Sequence, residues 1–149
     1  MRRFSVIAFC GVVACGGGDN TEPPPAADVS GTWSASVSNM TGGAISCSST
    51  GATQLTLNQT RDTFSGAYEG GELTCSGPRG ALSASVLSGS LRNGTVDGNN
   101  VSFDIDTPDS HFSGTVSGTS MFGTGRWRID FGTPNGVVTL DGNWEAAKQ

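Results

Sequence analysis

The stretch MFGTGRWRIDF, Met121 to Phe131, sets Met121, Gly123, Gly125, Trp127, Ile129 and Phe131 on one parity and Thr124, Arg126, Arg128 and Asp130 on the other. Successive side chains of a β-strand point to opposite faces, so this alternation marks a strand with one buried face. The same rhythm recurs on both sides of it. It runs through Val29 to Val37, Leu55 and Leu57, Phe64 to Tyr68, Val101 to Ile105, Phe112 to Val116, and Val138 to Ala146. Turn signals such as GPRG (77–80), DGNN (97–100) and TPNG (133–136) separate many of these runs. No stretch carries sustained helical periodicity. The reading is therefore an all-β domain of about eight to ten short strands.

Five segments, VSGTW, FSGAY, LSGSL, FSGTV and LDGNW, each place a glycine midway between two large apolar residues. Positions i, i+2 and i+4 of a strand share a face, so each glycine is expected to point inward between bulky groups. There it permits the bends that a closed sheet needs, with neighbouring rings covering the gap. The pattern predicts an antiparallel up-and-down β-barrel, with a glycine-rich β-sandwich as the alternative. Ser30, Thr32, Ser34, Ser65, Glu69, Asp104, Asp106, Ser113, Thr115, Arg126, Arg128, Asp141 and Glu145 take the opposite parity. A membrane-spanning barrel needs an apolar outer belt, and this pattern is the reverse.

The beginning of the chain reads differently. Arg2 and Arg3 precede an apolar run from Phe4 to Ala14, the order of an export signal and too short to span a bilayer, which takes roughly 20 residues. Val12, Val13, Ala14 and Cys15 resemble the lipobox of bacterial lipoproteins, which implies that Cys15 is acylated and becomes the first residue of the mature chain. An ordinary secretory signal cut elsewhere is the alternative. GGGDNTEPPPAA, Gly16 to Ala27, lacks periodicity and forms a flexible, then stiffer, spacer. The expected organisation is a signal peptide over 1–14, a lipidated cysteine and linker over 15–28, and a barrel over 29–149. The resemblance implies a cell-envelope protein anchored through the Cys15 lipid. Gly16 does not match the aspartate that retains enteric lipoproteins at the inner membrane, so the outer membrane is expected, with the domain periplasmic or surface-exposed.

Four cysteines are present; Cys10 lies in the signal and Cys15 at its end, which leaves Cys47 and Cys75. An even remainder in an oxidising compartment predicts a disulfide between them. Neither has a second thiol or histidine at ligand spacing, and no metal site is expected. Without Arg2 and Arg3, six basic residues face 13 acidic ones, a net charge of −7. Such a surface offers nucleic acid no basic patch.

Gly31, Thr32 and Trp33 resemble the G-x-W of the opening strand of lipocalins, small eight-stranded barrels that hold apolar ligands. The same G-T-W, followed later by FSGAYEG, also resembles avidins. Ala35 and Gly70 depart from the avidin pattern, so biotin is not implied. In lipocalins a late arginine packs across the tryptophan, a role the resemblance gives to Arg126 or Arg128.

Catalytic signals are sparse. His111 is the single histidine; Asp109, Ser110 and His111 adjoin in sequence, which does not supply a converging triad. A solvent-exposed loop histidine is expected, and no catalytic residues, metal or cofactor are assigned. Asp104, Asp106 and Asp109 lack the EF-hand spacing and read as an acidic strand end. Trp33, Tyr68, Trp127 and Trp144 are the candidates for ligand contact, or are simply core. Two readings follow: a lipocalin-like module for a small apolar ligand, or a structural lipoprotein whose filled barrel meets another envelope protein.

Overall fold

A computed structural model describes residues 25–149, apart from 79, 86, 87, 108 and 133–135 and the side chains at 82 and 84. The signal, Cys15 and most of the spacer lie outside the described residues. Eleven strands are present: β1 (Gly31–Gly42), β2 (Ile45–Gly51), β3 (Thr53–Thr60), β4 (Thr63–Glu69), β5 (Glu72–Gly77), β6 (Gly80–Ser85), β7 (Gly89–Asp97), β8 (Asn100–Ile105), β9 (His111–Ser117), β10 (Ser120–Asp130) and β11 (Val137–Lys148). All pairings are antiparallel, in the order β11-β10-β9-β8-β7-β4-β3-β1, and β11 pairs again with β1. Eight strands thus close a barrel. The meander leaves it twice, for β2 and for the β5–β6 hairpin, and these three strands form an extension hydrogen-bonded to the end of β1.

A bulge makes the branching possible. Gly31 to Ala35 pair with β3, whereas Met40 to Gly42 pair with β2. Between them the register with β11 shifts after Ser38, and Asn39 takes φ 52°. A bulge bends and twists its strand, so one edge of β1 serves two neighbours in succession. Cys47 and Cys75 face each other across β2 and β5, with Cα atoms 4.0 Å apart, and they are disulfide-bonded. The bridge expected from cysteine arithmetic therefore ties the extension together.

The parity read from the sequence sets the core. Trp33, Leu55, Leu57, Phe64, Phe103, Phe112, Trp127, Leu140 and Trp144 are buried, while their neighbours Thr56, Ser65, Ser113, Thr124 and Asp141 are exposed. Ala26 and Ala27 already pack against this core, slightly before the expected domain start at Val29. The closed sheet and the core described here thus lie within Pro25–Gln149.

The repeated glycines divide into two kinds. A Cβ on Gly114 would stand 2.8 Å from Trp144 Cζ2, so this glycine gives the indole room to cross the strand. Gly89 is likewise covered by the ring of Tyr68. Gly31 departs from the expectation: it is exposed with φ 112° and turns the chain into β1 instead of pointing inward.

The barrel has unlike ends. At one, two-residue turns join β3 to β4, β7 to β8 and β9 to β10. There residues 26–30 fold beneath the strands, with the Ala27 N–H donating to the Gly98 carbonyl at 2.8 Å. At the other end lie the described residues of the longer connections after β8 and β10, and the three-stranded extension.

Candidate functional site

The end with the long connections opens into a cavity of about 440 Å³. Small-molecule sites usually occupy roughly 300–1,000 Å³, and this one falls in that range. Its wall is aromatic because five strands deliver rings to one level. Phe103 stacks on Phe112 with centroids 4.9 Å apart, and Phe112 meets Trp127 edge-on at 4.9 Å. Phe103 also meets Trp144 edge-on at 5.4 Å and Phe64 at 5.9 Å. Trp144 Nε1 donates to the carbonyls of Ser113 and Thr124, both at 3.1 Å, so its polar atom is satisfied and its ring faces the hollow.

Tyr68, Trp127 and Trp144 therefore line the cavity. Trp33 does not; it is fully buried at the opposite end, where its Nε1 donates to the Val29 carbonyl at 2.9 Å. The cation over its ring is Lys148, with Nζ 5.5 Å from the ring centroid. The resemblance to lipocalins gives that place to Arg126 or Arg128, which the structure does not bear out. Arg126 is instead on the outer face, bonded to Asp141 at 2.9 Å, and Arg128 is bonded to Asp109 at 2.9 Å. The correction has a simple cause: both arginines have outward parity in β10, whereas β11 ends beside Trp33, in register Trp33 to Lys148.

The mouth is built from hydroxyls and a few charges. Tyr68 donates its hydroxyl to Asp106 Oδ1 at 2.7 Å, and Asp106 Oδ2 accepts the Ser90 N–H at 3.2 Å. These bonds latch the β8–β9 connection to the start of β7. The Tyr68 bond, with a smaller backbone contribution from Ser90, holds the Asp106 carboxyl below its ordinary range. Burial, with the bond to Asp106 second, pushes the Tyr68 phenol upward. Tyr68 thus stays a neutral donor near neutral pH and is poorly suited to act as a base.

Asp109, Ser110 and His111 do not converge. Asp109 bonds to Arg128, the Ser110 hydroxyl accepts the Arg128 N–H at 3.1 Å, and His111 Nδ1 lies 2.7 Å from Asp104 Oδ1. His111 opens strand β9 and is exposed, so it is a strand residue and not the loop residue expected. The three carboxylates considered for calcium are dispersed. Asp104 serves Asn93 and His111, and the Asn93 bond is the larger cause of its lowered pKa. Among the described residues, no group of three or more His, Cys, Asp or Glu side chains is placed to hold a metal ion.

Sequence reading missed the contribution of the extension. Leu73 of β5, Ser49 of β2 and Ser85 of β6 line the cavity, so the cup is deeper than eight strands alone would make it. The signal was present but faint: Leu73 and Cys75 alternate with Thr74 and Ser76, too short a run to stand out in a serine-rich segment. No protein-family model, no curated protein and no solved structure matches this chain.

Proposed function

We propose that this protein is a lipid-anchored binding module of the bacterial cell envelope that holds a small apolar ligand in the open end of its barrel. The cavity carries the reading: a hollow lined by Leu55, Phe103, Phe112, Trp127 and Trp144, inside a barrel whose other end is filled. A ligand entering it gains roughly 25 cal/mol per Å² of apolar surface buried, before the cost of association. The structural alternative supposed a filled interior, and the hollow favours binding over it. A lipocalin-like role is further supported by the G-x-W opening at a closed end, with a cation over the indole.

Anchoring is proposed from the sequence. Several acyl chains on Cys15 would give stable membrane attachment, since each buried methylene contributes roughly 0.8 kcal/mol. No basic patch favours nucleic acid, and no residues are proposed to catalyse a reaction. The test of the binding reading is a tryptophan-fluorescence titration of the chain from Pro25 with medium-chain alcohols, fatty acids and isoprenoid-like compounds. Saturable quenching, weakened by Trp127→Ala, is expected; no response to any of them overturns the reading. For the anchor, a fatty-acid analogue is expected to label the full-length protein and not Cys15→Ser, and equal labelling of both overturns it.

A further inference from the structure

We infer that the cup selects an amphiphile headed by a neutral oxygen group, an alcohol or an ester, over one that ends in a carboxylate; this rests on the cavity being a binding site, as proposed above. Ser110 lines the cavity and is 3% exposed. Its oxygen accepts the Arg128 N–H at 3.1 Å, and a hydroxyl that accepts one bond keeps its own proton to donate. Ser49, also in the wall, is arranged alike, accepting the Val37 N–H at 2.8 Å. The mouth therefore offers protons to an acceptor on the ligand. An ammonium head, which only donates, does not match them.

Charge separates the remaining candidates. Among the described residues lining the cavity, Arg128 is the one cation, and its Nη1 is committed to Asp109 at 2.9 Å. Asp130 lines the same mouth, and Asp106 stands behind Tyr68. Among the described lining residues Arg128 is thus the one cation and Asp130 the one carboxylate, and the Arg128 guanidinium is already paired with Asp109 outside the lining. A carboxylate head would lose water with no unpaired cation in the described lining to receive it, whereas a neutral oxygen meets the hydroxyls without that cost.

The experiment titrates the chain from Pro25 to Gln149 with decan-1-ol, methyl decanoate, decanoate and decylammonium, below their micellar concentrations at neutral pH. The alcohol and the ester are expected to bind about ten-fold or more tightly than either charged probe, as one unpaired charge in an apolar site costs well over 1.4 kcal/mol. Any apolar hole would prefer neutral probes to some degree, so two variants carry the discrimination. Asp109→Asn releases Arg128 and is expected to raise decanoate affinity while leaving decan-1-ol unchanged. Ser110→Ala is expected to weaken decan-1-ol by about five-fold, the value of one hydrogen bond. Decanoate or decylammonium binding as tightly as the alcohol overturns the head-group inference and leaves the cup standing. So does Asp109→Asn with no effect on decanoate, or Ser110→Ala with none on the alcohol. Failure of all four probes to bind overturns both readings.

Discussion

The two ends of this barrel use the same inward alternation, and each carries tryptophan, yet one is solid and the other hollow. At the solid end Val29 and Trp33 are fully buried, and Val96, Val101, Val116 and Met121 fill the space between short turns. At the hollow end the rings of Phe103, Phe112, Trp127 and Trp144 stand around an unfilled volume. Residue size does not decide the difference, because aromatic rings serve both. The decisive part is what crosses the end: residues 26–30 run under the first and bring Val29 beneath the indole of Trp33, while the described residues at the second, among them Thr107, Ser110, Ser49 and Leu73, border the hollow without filling it. Packing therefore stabilises one end, and the other leaves apolar surface available for a guest.

Breaking the solid end should produce the largest effect. Trp33→Ala removes a fully buried indole, its bond to Val29 and its contact with Lys148, and a loss of about 3–5 kcal/mol is expected in chemical denaturation. A loss below about 1 kcal/mol would show that this end is not the packed foundation its burial implies.

Next comes the disulfide, which acts on the hollow end. The bridge closes a separation of 28 residues, for which chain-entropy arguments give about 3–4 kcal/mol. Because β2, β5 and β6 lie outside the closed barrel, the effect of Cys47→Ser with Cys75→Ser should be local. Hydrogen exchange is expected to quicken in β2, β5 and β6 while β9 and β10 stay protected. Apolar-probe affinity should fall as Leu73 and Ser49 leave the wall. Uniformly faster exchange across the barrel would contradict this division.

Much of this contrast is legible in the sequence, and the missing part has a physical reason. The strands carrying Trp33, Phe64, Phe103, Phe112, Trp127 and Trp144 are readable because period-two alternation is a local property of the chain. Closure of the sheet was suggested by the glycine repeat, although Gly31 turns out to serve a turn. Which aromatics would line a hollow was not readable. Trp33 and Trp144 both lie on the inward parity beside a glycine, and only their distance from residues 26–30 separates core from cavity wall. The extension escaped for a local reason. Leu73 and Cys75 alternate with Thr74 and Ser76 over too short a run to stand out in a serine-rich segment.

A third substitution sharpens the comparison directly. Trp127→Ala removes a ring of the same kind as Trp33, but from the wall of a space already open. The cost of a large-to-small change grows with the packed volume it vacates. Trp127 is 8% exposed and lacks neighbours on its cavity side, so about 2 kcal/mol is expected, clearly less than for Trp33. Equal losses at the two positions, measured under the same denaturant, would mean that the hollow end is packed as firmly as the solid one.

The smallest expected effect belongs to the Tyr68–Asp106 latch at the mouth, and it is read through pH. The bond from Tyr68 holds the Asp106 carboxyl below the ordinary aspartate value of 3.8. A group whose folded pKa is depressed binds protons more readily in the unfolded chain, so stability rises with pH across the interval between the two values. The latch contribution is therefore complete above about pH 4 to 5 and is lost as pH falls through the folded value, which lies below 3.8. Because the carboxylate is exposed, solvent screening keeps the contribution under about 1 kcal/mol. Asp106→Asn retains an oxygen to accept from Tyr68 and removes the charge, so wild type should exceed it in stability at neutral pH. The gap should close as pH is lowered below 3.8. Asp104, also depressed by its own partners, titrates in both proteins and cancels in the difference. A gap that stays constant from neutral pH down to about pH 2.5, through the whole interval in which linkage requires it to close, would show that Asp106 does not act on the mouth through its charge.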